Sequence, residues 1–254
     1  MLNTLFGNRI DIAINRLRQF EPPEGYYLAF SGGKDSQAVY HLAIDSGIKF
    51  DAHMNMTTVD PPEVIRFVRK HYPSVELHRT DKTMWQLIEE KRMPPTRVVK
   101  YCCGELKERG GKGRVVVTGI RWEESARRRK RTMVEQCRNV IGKRFLHPII
   151  DWSTEDVWEY HRDRGLPYLS LYDEMPRVGC ICCPNGGAAK MLRDARRWPK
   201  FAEAYKRSMQ RCVDKRIKDV LPTEWRTGQE MWDWWINGGT KEEENEDQGR
   251  LFFE

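Results

Sequence analysis

An apolar run, Tyr26-Tyr27-Leu28-Ala29-Phe30, passes into Ser31-Gly32-Gly33-Lys34-Asp35-Ser36 and then into Gln37-Ala38-Val39-Tyr40-His41-Leu42-Ala43-Ile44. This order predicts a buried strand, a tight glycine turn and a helix. Upstream, Ile10, Ile14 and Leu17 share one face of a lead-in helix over 3–20, with Arg9, Arg16 and Arg18 elsewhere. Glu21-Pro22-Pro23-Glu24-Gly25 ends it. Downstream the alternation continues. An extended run covers 49–56, and Pro61-Pro62 opens a helix to about His71. A short strand covers 75–78 and a helix 84–90. Arg114-Val115-Val116-Val117-Thr118-Gly119 is β-branched and glycine-bounded, the clearest strand of the chain.

Strands alternating with helices predict an α/β fold with a doubly wound, mostly parallel sheet. Ligands of such sheets bind beyond the carboxyl ends of the strands, which places the glycine turn and Thr118-Gly119 on one rim. From Ser153 the chain turns helical. Ser153-Thr154-Glu155-Asp156 reads as a capped helix start and Gly165-Leu166-Pro167 as a stop. Helices are predicted over 188–212 and 228–237. The expected division is an N-terminal helix (1–24), an α/β domain (25–187), a helical C-terminal region (188–240) and an acidic, mobile tail (241–254).

The chain has 254 residues and a net charge of +7. No stretch is long and apolar enough to span a bilayer, and the first residues are too short for a signal peptide, so a cytoplasmic protein is expected. The positive charge is uneven. Arg127-Arg128-Arg129-Lys130-Arg131 is unbroken, which suits a polyanion or is simply a solvated helix face. Trp225, Trp232, Trp234 and Trp235 read as packing for a C-terminal helix or as stacking platforms. The six histidines show no ligand spacing.

The turn carries the first candidate chemistry. Glycines let backbone approach a ligand, and a helix N-terminus directs N–H groups and its dipole at negative charge. Lys34 adds a cation, and Ser31 and Ser36 add hydroxyls. The spacing is not that of a Walker A loop. The second candidate is the cysteines. All seven lie in a chain read as cytoplasmic, so metal or redox chemistry is favoured over disulfides. Cys102-Cys103 are adjacent, and Cys180 and Cys183 have C-x-x-C spacing. Four thiolates suit an iron–sulfur cluster or zinc, and unligated thiols remain open. Cys182 is a spare thiol that carries sulfur or merely packs. Cys137 and Cys212 read as structural.

Ser31-Gly32-Gly33-Lys34-Asp35-Ser36 resembles the PP-loop of the ATP pyrophosphatase superfamily, whose members cleave ATP between its α and β phosphates. Tyr101-Cys102-Cys103-Gly104-Glu105-Leu106-Lys107, the His147–Trp158 block, Leu166-Pro167-Tyr168, Leu171-Tyr172-Asp173 and the C-x-x-C resemble the [4Fe-4S] adenylyl-sulfate reductases and their 3'-phosphoadenylyl-sulfate relatives. Gly119-Ile120-Arg121 through Glu124-Ser125 to Arg128 resembles their G-x-R-x-x-E-S-x-x-R motif. The resemblance implies an adenine nucleotide α-hydrolase-like fold over about residues 25–187. It implies ATP or a sulfonucleotide on Ser31, Gly32, Gly33, Lys34, Asp35, Ser36, Thr118, Gly119, Arg121, Ser125, Arg127 and Arg128. It makes Lys34, Asp35 and Arg121 the catalytic candidates, and Cys102, Cys103, Cys180 and Cys183 the ligands of a [4Fe-4S] cluster ahead of Zn2+.

Two departures separate the chain from those reductases. No cysteine follows Cys212, where they carry an attacking thiol in E-C-G-x-H, and its phosphate loop is complete where theirs is degraded. Both point towards reductase-like ATP pyrophosphatases with a four-cysteine cluster, such as the DNA phosphorothioation enzymes, whose P-x-R stretch Met93–Arg97 resembles. That reading implies Mg2+–ATP, an adenylated intermediate, a cysteine desulfurase or other sulfur donor, and a nucleic-acid acceptor, DNA ahead of tRNA. A homo-oligomer or multiprotein complex is compatible with it, and a membrane partner is not expected. The alternatives are a sulfonucleotide reductase releasing sulfite, using Cys182 or Cys212, and a non-catalytic nucleotide-binding subunit.

Overall fold

The computed structural model describes residues 3–4, 7–137 and 140–239. The expected acidic tail lies outside them. A two-strand antiparallel hairpin, β1 (Asn3–Thr4) and β2 (Gly7–Asn8), precedes helix α1 (Arg9–Gln19). The lead-in helix therefore starts six residues later than its periodicity suggested. Asn8 sets the start: its side chain accepts from the Ile10 N–H at 2.9 Å, which is N-cap geometry.

Next come β3 (Tyr26–Ala29), α2 (Lys34–Ser46), β4 (Phe50–Met56), α3 (Pro62–His71), β5 (Glu76–Arg79), α4 (Met84–Lys91) and α5 (Tyr101–Leu106). They are followed by β6 (Val115–Val117), α6 (Ala126–Arg129), β7 (Val134–Gln136), β8 (Arg144–Leu146), α7 (Thr154–Asp163) and α8 (Leu171–Glu174). The chain then runs through α9 (Gly187–Arg197), α10 (Pro199–Lys218) and α11 (Gly228–Ile236). The expected helix over 188–212 is two helices, because Pro199 offers no N–H to a continuous helix and instead opens α10.

The chain forms two compact units, each discontinuous in sequence. The first comprises residues 1–56, 61–79 and 109–178, the second 57–60, 80–108 and 179–254. The first unit holds a six-stranded sheet in the order β5-β4-β3-β6-β8-β7. Every neighbouring pair is parallel except β7 with β8, so the mostly parallel sheet expected from the sequence is present. Tyr26, Leu28, Ala52, Met54 and all of Val115–Val117 are buried, as strands covered on both faces require. Because β3 and β6 are adjacent and parallel, the Ser31–Ser36 turn and Thr118-Gly119 leave the sheet at the same rim. Ser153 caps α7 in a reciprocal capping box with Asp156.

In the second unit α10 packs against α4, α9 and α11. Trp232 and Trp235 are buried on α11, with Trp235 4.8 Å from the Tyr205 ring and donating to the Pro95 carbonyl at 2.6 Å. Those tryptophans thus serve packing. Trp225 and Trp234 pair with each other at 4.8 Å. Among the described residues no helix is long and apolar enough to cross a membrane.

Three histidines of the first unit are held neutral. Burial lowers His41 and His161 below their ordinary 6.5. Burial, then the nearby Arg131 charge, lowers His147 to about 4. Each binds a proton more readily when unfolded. Stability is therefore complete above about pH 6.5 and falls as pH drops towards about 4. His147 alone accounts for a change on the order of 3 kcal/mol. Urea melts at about pH 7.5 and about pH 5 should show a clearly lower midpoint at the acid value. Coincident midpoints would contradict a neutral buried His147.

Candidate active site and thiol cluster

The phosphate-type loop is built by its own side chains. Gly32 has φ +73°, and an added Cβ would stand 2.8 Å from Val68 and 2.9 Å from Val64, so only glycine fits. The Ser36 hydroxyl donates to the Gly33 carbonyl at 2.8 Å and accepts from the Ser31 N–H at 3.2 Å. The Ser31 hydroxyl lies 3.1 Å from it. Gln37 Nε2 holds the Gly32 carbonyl at 3.0 Å. Gly33 is the N-cap of α2 and supplies no side-chain cap.

Lys34 and Asp35 open α2. The Lys34 backbone N–H donates to the Tyr172 hydroxyl at 2.8 Å, and His161 Nε2 donates to the Lys34 carbonyl at 2.8 Å. Lys34 Nζ lies 3.0 Å from Asp35 Oδ2 and about equally far above the Trp158 and Tyr172 rings, at 6.0 and 5.9 Å. Two aromatic rings thus flank the ammonium. Sequence reasoning did not assign Trp158, His161 or Tyr172 to this loop. They lie more than 120 residues away, and no spacing links them.

Arg121 is 2 % exposed. Its Nε donates to Asp35 Oδ1 at 2.7 Å, and its other nitrogens reach Glu123 (3.1 Å), the Trp152 carbonyl (3.2 Å) and Thr154 Oγ1 (3.3 Å). Arg121, Asp35 and Lys34 therefore form one charged row, with Asp35 bridging two cations. Gly119 packs directly beneath it. A Cβ there would lie 2.8 Å from the Asp35 carbonyl carbon and 2.9 Å from its oxygen, both backbone atoms. Gly119→Ala is expected to cost about 1–3 kcal/mol, the scale of an overpacked site, and to weaken nucleotide binding by displacing Asp35. Thermal melting with a nucleotide titration checks this, and an unchanged variant would contradict the close approach.

The remaining candidates are more dispersed. The Thr118 hydroxyl is 2.7 Å from His147 Nδ1. Ser125 caps α6, accepting from the Arg128 N–H at 3.2 Å. Arg128 pairs with Glu124, and Arg131 with Glu135 at 2.9 Å. Arg127, Arg129 and Lys130 are exposed.

Cys102, Cys103, Cys180 and Cys183 all belong to the second unit. Cys102 and Cys103 open the six-residue α5, while Cys180 and Cys183 flank a turn whose Ile181 N–H bonds the Val59 carbonyl at 2.8 Å. Cys102 donates to Cys103. That bond first, then burial and the Cys103 charge, raises Cys102, and the same bond lowers Cys103 to about 6. The other two thiols act electrostatically on Cys102. Burial raises Cys183. Lys107 is raised first by the Cys180 charge and hydrogen-bonds that sulfur.

Cys182 has φ +53° and is fully buried. Its N–H donates to Asp194 Oδ2 at 2.9 Å, and burial pushes its thiol up to about 12. Cys212 is also fully buried, its thiol raised by burial to about 11.

Over 195 residues the chain is 29% identical to an uncharacterised protein of Methanocaldococcus jannaschii, covering 68% of this chain and 44% of that one. Over 150 residues it is 27% identical to an adenosine 5'-phosphosulfate reductase of Oceanobacillus iheyensis, covering 54% and 60%. The chain thus spans about half the length of these relatives. The fold is similar to that of Candida auris phosphoadenylyl-sulfate reductase, with a TM-score of 0.51, 16% identity, and 66% of this chain and 87% of that one covered. Residues 25–186 match the phosphoadenosine phosphosulfate reductase domain, and the chain belongs to that family.

Proposed function

We propose that the chain is an adenine-nucleotide-dependent sulfur enzyme that acts on adenylyl sulfate, with a [4Fe-4S] cluster on Cys102, Cys103, Cys180 and Cys183. The observation that carries this reading is the gathering of those four thiols in one unit. Four thiolates with no imidazole or carboxylate among them suit a [4Fe-4S] cluster, the ligand set that the family's reductase relatives favour. Bound there, the cluster supplies a redox-active centre tuned by hydrogen bonds to its sulfurs, and Lys107 contributes one at Cys180. The family and the names of its reductase relatives support the substrate class.

In this reading the Ser31–Ser36 loop and Lys34 hold the nucleotide's anionic side. A thiol attacks the sulfonyl sulfur, AMP leaves, and reduction of the thiosulfonate releases sulfite. Cys182 and Cys212 are both buried with raised thiols, which disfavours either as the attacking group. A partner's thiol or a small dithiol fills that role.

A second reading is ATP cleavage between the α and β phosphates, and the complete Ser-Gly-Gly-Lys-Asp-Ser loop favours it. Asp35 would help hold Mg2+, and Lys34 would stabilise the departing pyrophosphate. Sulfur from a cysteine desulfurase would pass to a nucleic acid, DNA ahead of tRNA, bound near Arg127, Arg129 and Lys130.

One experiment separates them. Anaerobically purified protein is incubated with adenylyl sulfate and a dithiol, and separately with Mg2+–ATP with and without DNA or tRNA. Sulfite and AMP from the first, with no AMP from ATP, is the expected result. AMP and pyrophosphate from ATP would replace it with the second reading. No product from either would leave a nucleotide-binding subunit.

A further inference from the structure

The first unit carries its own group of metal-type ligands, none of them a cysteine. On β4, Asp51 and His53 are two residues apart, and on the edge strand β5 so are Glu76 and His78. Period-2 geometry puts each pair on one face of its strand. The parallel register sets His53 beside Glu76 and Asn55 beside His78. His53, Glu76 and His78 thereby meet, each offering a ligand atom within 4.8 Å of the others.

Hydrogen bonding fixes the lone pairs. His53 Nε2 donates to Asp51. Arg114 holds Asp51 from the other side with two bonds of 2.7 and 2.5 Å. Asp51 thus accepts from Arg114 and from His53 together. With its proton on Nε2, His53 presents the bare Nδ1 towards His78 Nε2 at 2.8 Å and Glu76 Oε2 at 3.3 Å. That lone pair accepts from His78 Nε2, with the Glu76 oxygen beside the shared proton, and a divalent cation at this point takes the proton's place. The Tyr27 ring stacks on His53 at 4.1 Å and 10°, and packing around Tyr27 is tight enough that a Cβ on Gly110 would strike it. The orientation of His53 is therefore set from three sides.

We propose that His53 Nδ1, His78 Nε2 and Glu76 form a binding site for one divalent transition-metal ion of the zinc class. Asp51 is the outer carboxylate that orients the His53 ring. Two imidazoles and one carboxylate form the donor set of open zinc sites, which keep a further position for water or a ligand. A carboxylate on the second nitrogen of a ligating histidine is the usual support of such sites. Binding displaces the proton shared between the imidazoles to solvent. The ion would tie the edge strand β5 to β4. Glu76 and His78 are partly exposed, at 65% and 35% of their side chains, which leaves a route for entry.

The test uses Co2+ as the probe on full-length protein. Cobalt on imidazole and carboxylate gives visible d–d bands without the near-ultraviolet charge transfer of cobalt thiolates. The expected result is one equivalent of thiolate-free cobalt. Its affinity falls on the order of a hundredfold in His78→Gln and Glu76→Gln and about tenfold in Asp51→Asn. Glu76 is exposed and its change is nearly isosteric, so that variant keeps the fold even if His78→Gln does not. Cobalt bound only by thiolates, or thiolate-free cobalt that Glu76→Gln binds unchanged, would overturn the proposal and leave a proton-sharing histidine pair.

Discussion

On the proposed [4Fe-4S] reading, Cys183→Ser is expected to lower the iron content from about four atoms per protein to a small residue, with loss of the visible charge-transfer absorbance. A hydroxyl at neutral pH does not replace a thiolate ligand, and the three remaining sulfurs hold the cluster poorly. Cluster binding draws on folding free energy, so the second unit should also melt earlier. Nucleotide binding should persist, because the Ser31–Ser36 loop belongs to the other unit and uses no cysteine. Cys182→Ser is the control: that sulfur faces the Met191 carbonyl at 3.6 Å in the interior, and its variant should keep the iron. Iron analysis and spectra of both variants decide the matter. A Cys183→Ser protein with full iron would remove it from the ligand set.

Lys34→Ala should lower turnover on adenylyl sulfate, or on ATP, about 100- to 1,000-fold, the scale of losing one group aimed at developing negative charge. The fold should survive. Asp35 keeps its 2.7 Å bond to Arg121 when Lys34 is cut back, so no carboxylate is left without a partner. Lys34→Arg should not rescue activity. The side chain is only 8% exposed and flanked by Trp158 and Tyr172, and a planar guanidinium does not fit a space shaped for an ammonium. The Lys34→Ala and wild-type rates, each at saturating nucleotide, give the answer. Equal rates would mean the loop does not perform the chemistry.

The sheet was legible in the sequence where strands were apolar. Tyr26–Phe30 and Val115–Val117 announce themselves, and their shared rim followed from the alternation alone. Strands β7 and β8 were missed because Val134-Glu135-Gln136 and Arg144-Phe145-Leu146 are too short and polar to show a period. The split of α9 from α10 was visible in Pro199 and was passed over because the helical pattern continues on both sides. The thiol set was legible because Cys102-Cys103 and C-x-x-C are local motifs. The setting of Lys34 was not: Tyr172, Trp158 and His161 reach it through tertiary packing only. Arg121, read as a phosphate ligand, has its donors engaged by Asp35, Glu123, the Trp152 carbonyl and Thr154, a use that its motif does not reveal. The six histidines show no ligand spacing as a set along the chain. Yet Asp51-Ala52-His53 and Glu76-Leu77-His78 repeat an acid-x-His pattern at the strand period on two predicted strands.

The two halves of the thiol set differ in how firmly they are held. The Cys180–Cys183 turn is tied to α9. The fully buried Asp194 accepts from the Cys182 N–H and pairs with Lys190, whose ammonium also reaches the Cys180 carbonyl at 3.3 Å. Cys102 and Cys103 sit on a helix of six residues with no side-chain cap, too short to be stable by itself. For a cluster held as proposed, the turn would be the half already formed before the metal arrives, and the short helix the half that its binding would have to order.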